Sequence, residues 1–316
     1  MPHTCKSRAC SSCGRKATQQ WIEKQKNQLP NTQWQHITFT MPDDFWALFW
    51  MNRPLLNKIA KIAAQIVIKL AQQKNYLPGI FIAIHTFGRD LKRNVHIHLS
   101  TTVGGITPQN TWKKATLNQY AMMTMWRYQI TTLFRTEHQD GKLNIHQSLK
   151  TKIEQKKSFN HWINEHYQKK WIVHCSKPQK NYKKIISYLG RYVKRPPIAL
   201  SKLKHYDGFY VKFRYLNHAN KKYETRTCST DEFIGFFIRH IPDRQFRLIR
   251  YYGFLANRVK GQYLPIVKQI LEHNILPRKI ITWSALLIES FNKDPMTCGD
   301  CGSHLCFQFR VFPNKK

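Results

Sequence analysis

The sequence is poor in acidic residues: 17 Asp and Glu stand against 52 Lys and Arg in 316 residues, which gives a formal net charge of +35. Hydrophobic residues still make up 42% of the chain, a share that excludes a basic disordered tail. The charge excess is larger than solubility requires. Nucleic acid is the polyanion whose phosphates Lys and Arg neutralise, so we expect a nucleic-acid partner.

Long apolar runs are also missing. No uninterrupted stretch is long enough to span a bilayer, and the N-terminus has no apolar signal-peptide core. Both absences argue against a membrane partner and favour a cytoplasmic location. A Gly-rich phosphate loop ending in Lys-Ser or Lys-Thr is absent too, which excludes the larger relaxase-helicases.

Most of the eight cysteines are clustered near the two ends of the chain. Without a secretion signal, such clusters favour metal ligands over disulfides. Cys10-x-x-Cys13 followed by Gly14 predicts the tight knuckle of a zinc ribbon, and Cys5 and His3 can complete four ligands.

The far end of the chain offers a second possible zinc site. Its candidate ligands are Cys298, Cys301, His304 and Cys306. The spacing after Cys301 is short for a zinc site, and unbound thiols explain the cluster equally well.

Hydrophobic periodicity predicts a mixture of strands and helices. Alternation indicates strands at 34–42, 79–88 and 94–105, and the last two are joined by a short polar connection that predicts an antiparallel hairpin. Residues 209–216 and 222–228 predict a second hairpin. Helical spacing appears at 53–77, 117–135 and, with much positive charge, at 250–291. Ser229 and Glu232 form a capping box that begins another helix.

Three histidines converge if the first hairpin forms. On a strand, positions i and i+2 face the same side, so His96 and His98 project together while Ile97 packs behind them. His85 lies across the predicted hairpin. A single histidine would more often be a hydrogen-bonded sheet residue, but three imidazoles at one point favour a divalent metal site.

Two tyrosines lie four residues apart in the stretch KIISYLGRYVKRPP, residues 184–197, which we call the tyrosine segment. On a helix, Tyr188 and Tyr192 share a face, and the double proline then ends the helix. A phenol with a pKa of about 10 is a poor nucleophile unless a base and a metal assist it. Spacing alone leaves open a packing pair, an aromatic shelf for a base, or a pair of nucleophiles. Lys194 and Arg195 can hold a DNA backbone.

Taken together, these motifs resemble the two-tyrosine rolling-circle insertion-sequence transposases of the His-hydrophobic-His (HUH) nuclease superfamily. The resemblance runs from about residue 5 to residue 271. Four stretches carry it besides the HxH and tyrosine motifs: CKSRACSSCGRK, HTFGRDL, YLGRYVKRPPIA and FIRHIPDRQFRLIRYYGFLANR.

The resemblance implies an α+β fold with an HUH-nuclease-like antiparallel sheet and flanking helices. We expect a zinc-binding module at 1–30, a catalytic domain at 31–230 and a basic, mostly helical region at 231–316. Only four residues precede Cys5, where the family carries further Cys and His residues, so the module is expected to be truncated. Its expected metal is Zn²⁺.

The activity that the resemblance implies is metal-dependent nicking and joining of single-stranded DNA at element ends and target. Tyr188 and Tyr192 would be the nucleophiles, giving a 5′-phosphotyrosine link, and Arg191 would join Lys194 and Arg195 in binding DNA. His96 and His98, with His85 as third ligand, would hold Mg²⁺ or Mn²⁺.

One position near the metal pair departs from the family. Asn94 stands where the family often has another histidine, two residues before His96. Two alternatives also stay open at this point: a replication initiator or relaxase with the same chemistry, and a basic zinc-containing protein that binds DNA without cleaving it. The DNA sequence recognised, the order of the tyrosines and the oligomeric state are not given by the sequence.

Overall fold

The structure is a computed structural model. It describes residues 10–181, 183, 185–187, 190, 197–217, 220–243, 245–272, 282, 284–285, 287–288, 292, 294–306 and 308. The predicted α+β class is confirmed: an antiparallel sheet is flanked by helices. None of the helices in this described part of the chain is both long and apolar enough to cross a membrane.

The central sheet has five strands in the order β10-β2-β3-β1-β6, and all of its pairings are antiparallel. Its strands are β1 (Trp34–Phe39), β2 (Gly79–Phe87), β3 (Arg93–Thr102), β6 (Val173–Cys175) and β10 (Ile249–Gly253). The predicted hairpin of β2 and β3 is confirmed, and His85 lies directly opposite His96 in it. Two short strands, β4 (Gly105–Ile106) and β5 (Trp112–Lys113), form a separate ribbon.

Helices cover the apolar face of the central sheet. They are α2 (Asp44–Met51), α3 (Leu55–Gln72), α4 (Gln119–Gln139), α5 (Gln147–Glu154) and α6 (Phe159–Gln168). The apolar stripe of α3 is buried against the sheet, as its periodicity predicts. The helix ends at Gln72, earlier than predicted, because the chain turns through Asn75 in the left-handed conformation (φ 58°).

The N-terminal helix α1 (Ser11–Gln28) begins at the Cys10-x-x-Cys13 motif. In the described residues this motif forms the capped first turn of the helix. Cys10 is the N-cap of α1, with its Sγ accepting from the Cys13 N–H at 3.5 Å, and the Gly14 N–H donates to the Cys10 carbonyl at 2.8 Å. The helix prevails because a cap satisfies N–H groups that the first helical turn leaves without partners.

A second sheet of three antiparallel strands follows the tyrosine segment. It contains β7 (Leu203–Tyr206), β8 (Tyr210–Leu216) and β9 (Tyr223–Ser229), with β8 in the middle. The predicted second hairpin is therefore confirmed. So is the capping box, in which Ser229 and Glu232 begin α7 (Thr230–Ile238).

The helical prediction for 250–291 is only partly right. Helix α8 (Lys260–Ile270) lies within it, but Ile249–Gly253 forms strand β10 and pairs with β2 along its length. The run Ile-Arg-Tyr-Tyr consists largely of β-branched and aromatic residues, which favour a strand at the edge of an existing sheet.

Candidate active site

Strand geometry brings the three predicted metal ligands together. His85 is buried, His96 and His98 are partly buried, and their ring centroids lie 4.4–5.1 Å apart. One ligand nitrogen from each residue can be chosen so that all three lie within 4.8 Å of one another. Among the described residues this is the only such group of three. The neighbouring Ile84 and Ile97 point the other way, into the core under the helices.

Hydrogen bonds fix the direction in which His96 presents its lone pair. Its Nδ1 is 2.8 Å from the backbone oxygen of Asn94, and because a carbonyl only accepts, Nδ1 carries the hydrogen. In the neutral ring Nε2 is then left as an acceptor, and it lies 3.0 Å from Nε2 of His98. Asn94 contributes this contact through its backbone, so the departure from the family's histidine does not remove it.

A fourth histidine, His36, contacts His98 from the neighbouring strand β1. Its Nε2 is 2.9 Å from Nδ1 of His98, the two rings are stacked with centroids 5.0 Å apart, and its Nδ1 is 3.4 Å from Ser100 Oγ. When Nε2 of His98 serves as a ligand, its Nδ1–H donates to His36. His36 was not among the predicted ligands, although alternation along β1 places it on the polar side of that strand.

The surroundings keep His36 and His98 neutral. Burial lowers the pKa of His98 well below its ordinary value, and the adjacent His96 and His36 lower it further. Burial, followed by the neighbouring His174 and His96, lowers the pKa of His36 to about 4. A neutral imidazole is the form that binds a metal, so the donor set fits a divalent cation.

The predicted nucleophiles Tyr188 and Tyr192 lie outside the described residues, as do the predicted DNA-binding residues Arg191, Lys194 and Arg195. The described positions of the tyrosine segment at 185–187 and 190 are helical, in agreement with the predicted helix.

The tyrosine segment packs against the N-terminal helix. Ile185 and Ile186 are buried in one cluster with Trp21 and Ile22 of α1. At Gly190 an added Cβ would lie 2.5 Å from Cγ1 of Ile22, so the two backbones approach too closely for any larger residue without a shift. The described residues 185, 186 and 190 of the tyrosine segment are therefore positioned by their packing against α1.

The predicted zinc ligands are only partly described. His3 and Cys5 lie outside the described residues, while Cys10 and Cys13 lie at the start of α1.

The four C-terminal candidates, Cys298, Cys301, His304 and Cys306, do not bring three ligand atoms together as the histidines do. They lie around a tight turn in which the Cys298 N–H donates to the Ser303 carbonyl at 2.9 Å. Hydrogen bonds from Ser303 lower the pKa of the Cys301 thiol to about 7, with a smaller effect from Cys298.

A small basic cleft lies beside the β2–β3 hairpin on the helix side of the sheet. The guanidinium carbons of Arg93 and Arg53 lie 4.8 and 5.5 Å from the Trp50 ring centroid, and Arg239 lines the same cleft. Burial lowers the pKa of Arg93, and the nearby charge of Arg239 lowers it further. Arg53 donates from Nε to the Asp243 carboxylate at 3.1 Å. Arginines gathered in this way match the chemistry of a phosphate group.

Comparisons with known proteins agree with this picture. Residues 79–262 match the family model described as "Putative transposase", and residues 1–41 match the model "Transposase zinc-binding domain". The "Transposase for insertion sequence element IS801" of Pseudomonas savastanoi pv. phaseolicola is 39% identical over 307 residues, 96% of this chain and 74% of that protein.

A second curated relative is more distant. The "Putative transposase y4qJ" of Sinorhizobium fredii (strain NBRC 101917 / NGR234) is 28% identical over 283 residues, 85% of this chain and 70% of that protein. No solved structure matches the chain. Both matched regions contain predicted site residues: 79–262 includes the three histidines and two tyrosines, and 1–41 includes the N-terminal cysteines.

Proposed function

This chain belongs to the transposase family that its residues 79–262 match, and from that membership we propose that it nicks and joins single-stranded DNA at the ends of a mobile element. A transposase cleaves and joins DNA, so the resemblance drawn from the sequence motifs is confirmed as to family. The observation that carries the finer proposal is the group formed by His85, His96 and His98.

The three histidines hold a divalent cation, Mg²⁺ or Mn²⁺, through their ring nitrogens. A cation bound there withdraws charge from the scissile phosphate. The Asn94 carbonyl fixes the tautomer of His96, and the contact with His36 holds the ring of His98 in place.

Tyr188 or Tyr192 is the nucleophile. Its phenolic oxygen gives its proton to a neighbouring base and bonds to phosphorus, the bond from phosphorus to the 3′ oxygen breaks as that oxygen takes up a proton, and the 5′ phosphate stays on the tyrosine. The strand leaves with a free 3′-OH, and attack on the phosphotyrosine by another 3′-OH restores a phosphodiester without an external energy source. The second tyrosine serves a second cleavage.

The remaining expected residues have supporting roles in the proposal. Arg191, Lys194 and Arg195 hold the DNA backbone beside the nucleophiles. His3, Cys5, Cys10 and Cys13 bind Zn²⁺ in the N-terminal module of residues 1–30, in line with the zinc-binding model that matches there.

Two further parts of the proposal concern the rest of the chain and its location. The catalytic domain spans 31–230, and the region 231–316 carries the C-terminal cysteines as a second possible zinc site. The enzyme acts in the bacterial cytoplasm on DNA of the nucleoid.

The test is covalent capture of DNA. The full chain is incubated with end-labelled single-stranded oligonucleotides and Mg²⁺ or Mn²⁺, and a protein–DNA adduct is sought on a denaturing gel. The Tyr188→Phe/Tyr192→Phe double variant should form no adduct, whereas Tyr128→Phe, at an exposed position on α4, should form it like the parent.

The histidines are tested in the same assay. His96→Ala or His98→Ala should remove the adduct while DNA binding stays near the parental level, because Lys and Arg carry the affinity. DNA binding with no adduct in any metal would refute cleavage and leave a non-catalytic DNA-binding protein. An adduct formed only at a plasmid or phage origin would instead favour a replication initiator.

A further inference from the structure

The second sheet has one open face. Residues directly opposite each other on antiparallel strands project to the same side, and the pairs Lys212–Thr227, Arg214–Thr225 and Tyr210–Ser229 share that side. The alternate residues Val211, Phe213 and Cys228 are buried on the other side. We call the exposed side the open face; its residues are His205, Tyr210, Lys212, Arg214, Tyr223, Thr225 and Thr227.

Exposed aromatic side chains are concentrated at one end of this sheet. Phe209 is 78% exposed and Tyr210 54%, both at the β7–β8 turn, whereas Tyr206, 66% exposed, pairs with Val211 and projects away from the open face. The turn is well defined, because the Asp207 carboxylate accepts from the N–H groups of Phe209 and Tyr210 at 2.9 and 2.7 Å. Gly208 supplies the required left-handed φ of 95°. Large aromatic surface held outward in this way indicates a partner.

The open face is also positively charged. The Arg214 guanidinium lies 4.3 Å from the Tyr223 ring centroid, and the Lys202 ammonium lies 4.7 Å from it. Glu224 lies between Tyr223 and Thr225 on β9, so its side chain projects to the opposite face. There it accepts a hydrogen bond from Tyr215 Oη at 2.7 Å. Asp207 is the other acidic residue of segment 200–229, and the turn uses its carboxylate.

The second sheet is joined to the hairpin that holds the histidines. Leu91, at the β2–β3 turn, is 1% exposed and packs with Phe213 and Cys228 beneath the open face. Arg226 donates to the Asp90 carbonyl at 3.3 Å, and the His240 ring donates from Nε2 to the Leu91 carbonyl at 3.0 Å. The open face is therefore fixed relative to the metal ligands.

We propose that the open face and the aromatic turn bind a tract of single-stranded DNA that extends from the cleavage site. Cations that follow a backbone, combined with aromatic rings on which bases stack, are the chemistry of single-strand binding. A duplex keeps its bases stacked inside and gains nothing from exposed rings. The inference rests on the proposed function only in taking single-stranded DNA as the ligand.

Fluorescence anisotropy with a labelled oligothymidylate and a duplex of equal length, without added divalent cation, measures this binding apart from cleavage. Tyr210→Ala should raise the single-strand Kd about tenfold, since one stacked base is worth roughly 1–3 kcal/mol. Tyr210→Phe should keep the parental Kd. The control Tyr128→Ala, an equally exposed tyrosine on α4, should also keep it.

The charges are tested by Lys212→Gln/Arg214→Gln, which should weaken single-strand binding and lower the salt slope by about 1.4 for two lost phosphate contacts. Lys61→Gln/Lys69→Gln removes the same charge from exposed positions of α3 and should have a smaller effect. Thermal melting near the parental temperature establishes that each variant folds.

Three results would overturn the inference: parental single-strand affinity in both open-face variants, an equal loss in the α3 control, or an equal loss for the duplex. Self-association of the parent that Tyr210→Ala abolishes, with DNA affinity unchanged, would assign the face to a second copy instead. If the parent forms no tyrosine adduct and Tyr210→Ala still weakens single-strand binding, the open face stands while the proposed cleavage fails.

Discussion

His36 is the residue that links the candidate metal ligands to the rest of the sheet. Its Nε2 lies 2.9 Å from Nδ1 of His98, and such outer contacts hold a ligand ring in one orientation. We expect His36→Ala to raise the metal concentration needed for half-maximal adduct formation about 10- to 100-fold. A Mn²⁺ titration of the adduct assay measures this.

Two controls separate that effect from general damage. His161→Ala removes an exposed histidine of α6 and should leave the titration unchanged. His36→Gln retains a hydrogen-bond acceptor and should recover part of the loss. An unchanged metal requirement in His36→Ala would contradict the role given to His36, provided that the variant binds DNA normally.

Among individual residues, the sequence pattern predicted three of the four histidines at the candidate metal site. Alternation alone put His96 and His98 on one side, and the short connection between two strands placed His85 opposite them. His36 could not be placed, because β1 and β3 are separated by two helices and a strand, and their register depends on packing that no local pattern encodes.

Among the elements, the contact between α1 and the tyrosine segment makes the clearest prediction. Alanine at position 190 would gain about 1 kcal/mol of helix propensity, but its Cβ would lie 2.5 Å from Ile22 Cγ1. Overpacking costs about 1–3 kcal/mol, so Gly190→Ala should destabilise the protein and reduce adduct formation. Urea unfolding and the adduct assay give the two measurements.

A double-mutant cycle tests whether the cause is this contact. Ile22→Ala leaves a cavity in the parent but relieves the clash in the Gly190→Ala protein, so it should cost less there than in the parent. Additive effects of the two substitutions would show that Gly190 is needed for another reason.

Strong local signals explain which elements were predicted. Alternating apolar residues marked β1, β2, β3, β8 and β9, and Ser229 with Glu232 marked the start of α7. Strand β10 was missed because its five residues lie in a charged region and become a strand by pairing with the distant β2. The helical start at Cys10 was missed because a Cys-x-x-Cys spacing suits both a knuckle and a capped first turn.

For the whole molecule, buried neutral histidines predict a loss of stability in acid. Burial lowers the pKa of His240 to about 4. The hydrogen bond to the Leu91 carbonyl has a smaller effect that raises this pKa, and the nearby arginines lower it further. The unfolded chain takes up a proton below about pH 6.5 and the folded chain does not, so stability is full above that pH. It should fall by up to about 3 kcal/mol as the pH drops to 4.

Urea unfolding at pH 7 and at pH 4.5 measures this loss. His240→Gln, which can still donate to the Leu91 carbonyl, should unfold with a smaller difference between the two pH values. His36 and His98 act in the same direction and account for part of what remains. An equal difference in parent and variant would exclude His240 as a source of acid sensitivity.

The shared core of α1 and the tyrosine segment has a consequence for the time at which the enzyme matures during synthesis. Trp21 and Ile22 leave the ribosome long before Ile185 and Ile186. This side of α1 therefore lacks the residues that it packs against until they have been translated. Ile185 and Ile186 can pack against α1 only after both parts of the chain have been made. The core that α1 shares with the tyrosine segment is therefore completed only when translation is well past the histidine hairpin.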